Sequence, residues 1–303
     1  MNKIFKINID NNRIFGLDIL RSLAIMFVVI GHGSNLLPKN LGTISDFFVF
    51  DGVSIFFVLS GFLIGGILIK LIDKNGFSIS ILKTFWIRRW YRTLPNYFLI
   101  LITLCIIHLL FDDGFTLRSV NKYFIFSQNL FSEHHHSWFF PEAWSLAVEE
   151  WFYLIFPILI FFTFLFKKSC QKSMLYVALL VIVFITAFRF YRFSNVYING
   201  INDWDLIFRK QVITRLDSLM FGVVGAYISY FHKSLWIKFK TQLFFTGILL
   251  FIASKFLLPH FTEIDSIYFC VFSFTLISIG TLFMLPYLSE LKTGNVDMLT
   301  LPS

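Results

Sequence analysis

Ten residues separate Arg21 from His32. At about 100° per residue the intervening steps return to nearly one azimuth of an α-helix, roughly 16 Å further along its axis. A guanidinium and an imidazole therefore share one helix face inside the apolar run Ile14 to Leu37. His32 stands between Gly31 and Gly33, which leave room for a substrate or a second backbone beside the ring. An imidazole, with its ordinary pKa near 6.5, suits general-base work. The same two residues also fit a plainer reading, an interhelical hydrogen bonder and an arginine snorkelling toward a membrane surface.

A second group is Glu142 followed by Trp144, Ser145, Glu149, Glu150 and Tyr153, at the entry of another apolar run. Adjacent carboxylates on a helix point about 100° apart, so Glu149 and Glu150 cannot both face one partner. A buried carboxylate needs an imidazole, a guanidinium or comparable donors. Dipole stabilisation at a helix N-terminus accounts for acids in a first turn, but not for acids that lead directly into an apolar span. Third is Trp86-Ile-Arg88-Arg89-Trp90-Tyr91-Arg92-Thr-Leu-Pro95, where Arg89 and Arg92 project from one side of a helical turn. Guanidinium forks hold phosphates, and the aromatics between them could cover a planar base; topology anchoring is the alternative. Arg215 and Asp217, two apart, are expected to have different partners. The His134-His135-His136 run reads as a solvated loop, since no carboxylate or thiolate stands at ligand spacing in an ordered element, and no metal is expected. Asp51, Ser54 and Ser60 with Gly52 and Gly61 form a small-residue face suited to close packing, with no chemistry assigned.

These residues must be positioned by elements that live in lipid. Of the 303 residues 57% are hydrophobic and 15% charged, with 42 Phe and a mean hydropathy of +0.74. That leaves too little polar surface for a water-soluble domain. The net charge of +8 is a statement about cytoplasmic loops before it is one about nucleic acid, which is excluded as a partner. Cys105, Cys170 and Cys270 are scattered in apolar runs and imply no disulfide framework. Windows long enough to cross a bilayer number about eight, near Ile14 to Leu37, Phe47 to Ile72, Leu94 to Phe111, Ala143 to Phe166, Met174 to Phe193, Gln211 to Phe231, Leu243 to Leu258 and Ile267 to Leu288. The stretch Tyr123 to Phe131 is too short to span. Lys and Arg collect in every second connection, which places both termini in the cytoplasm. One all-α polytopic membrane domain over residues 1–303 is the economical reading.

Four strings, in order, resemble the membrane acyltransferase family called acyltransferase family 3. They are Gly16-Leu-Asp18-Ile-Leu-Arg21 followed by His32; Phe56-Phe-Val-Leu-Ser60-Gly61-Phe-Leu-Ile; Arg88-Arg89-Trp-Tyr-Arg92-Thr-Leu-Pro95; and Trp144-Ser-Leu-Ala-Val-Glu149-Glu150-Trp-Phe-Tyr153. The Arg-Leu-Asp-Ser-Leu string from Arg215 to Leu219 is similar to a later family segment.

The resemblance implies transfer of an acyl group, usually acetyl, from cytoplasmic acyl-CoA to a hydroxyl of a surface glycan or lipid-linked saccharide. In such a protein Arg21 and His32 match the Arg-x10-His pair. Arg89 and Arg92, with Arg88 beside them, match the Arg-x-x-Arg motif associated with the acyl-CoA, which is a donor substrate and not a resident cofactor. Glu149 or Glu150 would orient the imidazole or the sugar. The setting implied is the cytoplasmic, or inner, membrane. At the carboxyl end the family's late Ser-Tyr-rich segment and final helix have no counterpart before Ser303, so a bundle lacking the last two spans is expected. An inactive truncated relative is therefore one alternative. A proton-coupled transporter is another, disfavoured because the two last windows carry only Lys255 as a charge.

Overall fold

The computed structural model describes residues 14–36, 38–76, 78–131, 139–167 and 170–291. Among the described residues the chain is helical and has no strand. In order the helices are α1 (Phe15–Gly33), α2 (Lys39–Phe48), α3 (Gly52–Asn75), α4 (Ile79–Phe111), α5 (Ala143–Lys167), α6 (Cys170–Asn195), α7 (Ile201–Trp204), α8 (Leu216–Phe231), α9 (Lys233–Lys238), α10 (Lys240–Ile252), α11 (Leu258–Phe261) and α12 (Ser273–Ser289). A π-helical turn, Ala253–Leu257, joins α10 to α11, and another, Tyr268–Phe272, opens α12.

Seven of the described stretches are long and apolar enough to cross a membrane. They match seven of the eight windows read from the sequence. The remaining window, Gln211 to Phe231, is shorter in the structure: Val212–Thr214 forms a tight turn and α8 begins only at Leu216, for 16 residues. Its length is explained by its place. Helix α8 packs against α3, α6 and α12 at the centre of the bundle, so the roughly 20 apolar residues that a lipid-facing helix needs are not demanded of it. The chain is a multi-pass membrane protein.

Two glycines set the closest helix contact. A Cβ on Gly61 of α3 would collide with the Leu219 carbonyl of α8, and one on Gly222 of α8 with the Val58 carbonyl of α3. Their absence lets the two backbones touch, which is how membrane helices gain packing energy when hydrophobic burial favours neither state. The small-residue face expected on the second span is thus an interface.

A second departure from the sequence reading concerns α4. The helix does not begin at Leu94 but at Ile79, where the Ser78 hydroxyl accepts from the Ile81 amide, and it runs unbroken for 33 residues through Pro95. The three arginines, expected in a turn ahead of the span, lie inside the same rod. Residues 121–125 form a short 3-10 turn that does not span. It is bound to the bundle by the Tyr97 hydroxyl donating to the Tyr123 carbonyl (2.7 Å) and the Trp151 indole donating to the Phe126 carbonyl (2.8 Å).

Candidate active site

Helices α1, α3, α4 and α5 bring most of the motif residues to two cavities. The first, about 200 Å³, is lined by Arg21 from α1, by Phe56 and Ser60 from α3, by Arg89, Arg92 and Thr93 from α4, and by Glu149 and Tyr153 from α5. The second, about 290 Å³, is lined by Val28 and His32 from α1, Phe56 and Phe57 from α3, Glu142, Trp144 and Glu149 around the start of α5, and Arg209 with Lys210. Phe56 and Glu149 belong to both walls, so the cavities lie back to back.

Arg21 and His32 share a face of α1, but the rise between them carries them to different cavities. Arg21 is held by Asp18 one turn earlier (3.1 Å), and His32 is exposed in its cavity. Arg89 and Arg92 face the first cavity together, one turn apart. Arg88, by contrast, lies on the exposed side of α4 and lines neither chamber. The aromatics between the arginines do not cover that cavity either. Trp90 stacks on Trp86 (centroids 6.1 Å apart) and Tyr91 is exposed.

The two glutamates separate as helix geometry requires. Glu149 faces the shared wall, where its Oε2 accepts from the Tyr153 hydroxyl (2.9 Å), which sits 3.4 Å from the Ser60 hydroxyl. Glu150 turns away into a third cavity between α4 and α5, and its Oε1 accepts from the Thr93 hydroxyl (2.7 Å). Placed at the wall, Glu149 and not Glu150 can touch groups on both sides.

Around the second cavity lies a charge network that the sequence motifs only partly announce. The π-helical turn Asp205–Arg209 carries Arg209 and Lys210 to its rim, both tied to the Asp205 carboxylate at 2.6 and 2.5 Å. The Arg209 guanidinium lies 5.6 Å from the Trp144 ring. Deeper in the bundle the Arg215 guanidinium donates to the Ser54 hydroxyl (2.5 Å) and lies 3.9 Å from Asp51, whose carboxylate also accepts from the Ser54 amide. Asp217 pairs instead with Arg189 of α6, which also donates to the Thr275 hydroxyl (3.0 Å). Separate partners for Arg215 and Asp217 are thus what the structure has.

Arg189 is the residue that motif reading missed, and Asp51 with Ser54, read from the sequence only as part of a packing face, hold Arg215. The available signal was the pair Arg189 and Arg192 within the apolar window Met174 to Phe193, since an ionisable group in a span marks a partner inside the bundle. His134, His135 and His136 lie outside the described residues.

No solved structure matches this chain. Among curated proteins it is similar to peptidoglycan O-acetyltransferase OatA of Listeria monocytogenes, 36% identical over 153 residues, covering 46% of this chain and 23% of that one. It is also similar to putative peptidoglycan O-acetyltransferase YrhL of Bacillus subtilis, 34% identical over 180 residues, covering 55% and 27%. A putative O-acetyltransferase of Staphylococcus aureus is 33% identical over 168 residues, covering 52% and 26%. The matched stretch thus spans about a quarter of the length of these relatives. The acyltransferase domain family, acyltransferase family 3, matches residues 14–294, and with both cavities built from helices inside that range, the chain belongs to this family.

Proposed function

We propose that the chain moves an acyl group, most simply acetyl, from acyl-CoA at the cytoplasmic face of the cytoplasmic membrane to a hydroxyl of a cell-surface glycan presented at the opposite face. The observation that carries this reading is the wall of Phe56 and Glu149 common to two cavities, one lined by three arginines and the other containing His32. Arg21, Arg89 and Arg92 suit the phosphates of CoA, and the extended pantetheine arm would bring the thioester to the wall. From the other side the acceptor hydroxyl gives its proton to the His32 imidazole as its oxygen attacks the thioester carbonyl. The C–S bond breaks, an ester C–O bond forms, and the proton ends on the CoA sulfur. Glu149, its carboxylate steadied by Tyr153, orients the acceptor or the imidazole from within the wall. The peptidoglycan named for the OatA and YrhL relatives supports an acceptor of the cell-wall glycan class.

Donor binding tests the first half. Charged hydrogen bonds are each worth about 1.5 to 3 kcal/mol, so Arg89→Ala is expected to weaken acetyl-CoA binding by roughly ten- to a hundredfold, measured by titration calorimetry on protein in detergent. Arg89→Lys restores only part of it, because the planar fork is lost. Unchanged affinity in folded protein would return these arginines to topology anchoring. Sidedness tests the second half. Both termini are proposed to be cytoplasmic, with α8 as an eighth crossing, so reporter fusions after Lys168 and after Glu263 should report opposite compartments, and the same compartment for both would overturn the orientation.

A further inference from the structure

The third cavity, about 290 Å³, is walled by Trp90, Leu94 and Phe98 of α4, by Trp151 and Leu154 of α5, and by the turn from Phe124 to Phe126. Every wall is apolar or aromatic except at one point, the Glu150 carboxyl. That residue is only 7% exposed; Oε1 is bound by Thr93, while Oε2 makes no well-formed hydrogen bond and has only a loose approach from the Trp90 side chain. A buried carboxylate oxygen left without a good donor costs free energy that a bound donor would recover.

The mouth of the cavity indicates where its occupant comes from. Phe124 and Ile125 stand at its rim and are 40% and 68% exposed, and the two main walls are helices of membrane-crossing length. An apolar mouth between two such helices suits entry from the hydrocarbon. Phe126 closes the other side: among the described non-glycine residues only it has a positive φ, 56°, and it is held there by the Trp151 indole on its carbonyl and by the Tyr97 ring 4.4 Å away. The turn is thus fixed in a conformation that side chains rarely adopt, and the cavity is built rather than incidental.

We propose that this crevice binds a membrane amphiphile, an aliphatic chain ending in a hydroxyl that donates to Glu150 Oε2. The apolar walls select the chain and the single acceptor selects its head. The site is distinct from the two back-to-back chambers. It touches the first only through Thr93, which lines that chamber and donates to Glu150. The inference does not depend on acyl transfer.

The experiment uses the full chain in nanodiscs of phosphatidylcholine, labelled with either of two photoactivatable probes, a diazirine-bearing long-chain alcohol or the matching alkane. Peptides carrying the probe are identified by mass spectrometry. The alcohol is expected to label the α4 and α5 walls about tenfold more than the alkane, the advantage of satisfying a buried acceptor that otherwise lacks a good donor. Glu150→Leu removes that advantage, and Leu154→Trp, which fills the crevice, lowers labelling there by both probes. Should Glu150→Leu fail to fold, Leu154→Trp decides alone. Equal labelling by the two probes, or alcohol labelling that Leu154→Trp leaves unchanged, overturns the proposal.

Discussion

Replacing His32 by alanine is expected to cut glycan O-acetylation by 10² to 10⁴, the usual loss when a general base is removed, at unchanged protein level. The level holds because His32 is exposed in its cavity, so truncation leaves no cavity in a packed core. Arg21 is too far along α1 to substitute for it, since it opens on the other chamber. Mass spectrometry of ester-linked acetyl on surface glycan, in a strain lacking its own O-acetyltransferase and complemented with either form, gives the readout. His134→Ala is the matched control and is expected to leave acetylation intact. Equal acetylation by His32→Ala and the unaltered chain would remove the imidazole from the reaction.

The second large effect is on stability. Arg189 and Asp217 are fully buried and paired, Asp217 Oδ1 has no further partner, and the Phe274 ring lies beneath both the Arg189 and Arg215 guanidiniums, at 5.5 and 4.1 Å. Breaking a buried pair by removing one member strands the other charge, at a cost of about 3 to 5 kcal/mol. Asp217→Ala is therefore expected to unfold at markedly lower temperature in detergent, or to fail to accumulate. The double substitution Arg189→Met with Asp217→Leu should recover most of the loss, because apolar residues of similar volume need no partner. A single Asp217→Ala as stable as the original chain would show that the pair contributes nothing.

The spans were readable because hydrocarbon imposes length and apolarity on any helix that meets it. Where α8 meets other helices instead, that rule lapses, and the apolar window overruns the helix. Charged residues misled in the opposite direction at α4. Arg88, Arg89 and Arg92 looked like the end of a span, yet they ride on a helix that continues past them. The site was legible wherever helical periodicity could be applied within one element: the facing of Arg89 with Arg92, and the divergence of Glu149 from Glu150. It was illegible across elements. Arg189 lies 28 residues from Asp217, and Arg215 lies 161 from Ser54, and no local pattern relates residues so far apart. The division of Arg21 and His32 between two chambers was likewise hidden, since azimuth reports facing but not which neighbours meet each turn.

The wall formed by Phe56 and Glu149 has an electrical consequence. If one chamber opens to the cytoplasm and the other to the outside, the membrane voltage would fall largely across the partition between them, and each elementary charge carried through would cost or gain about 2.3 kcal/mol per 100 mV. In the reaction proposed, an acyl group leaves the sulfur and goes outward while the hydroxyl proton comes inward to replace it. Formally these are one positive charge in each direction. The exchange is electroneutral, so in the reaction proposed the cell's voltage would neither drive the transfer nor be spent by it.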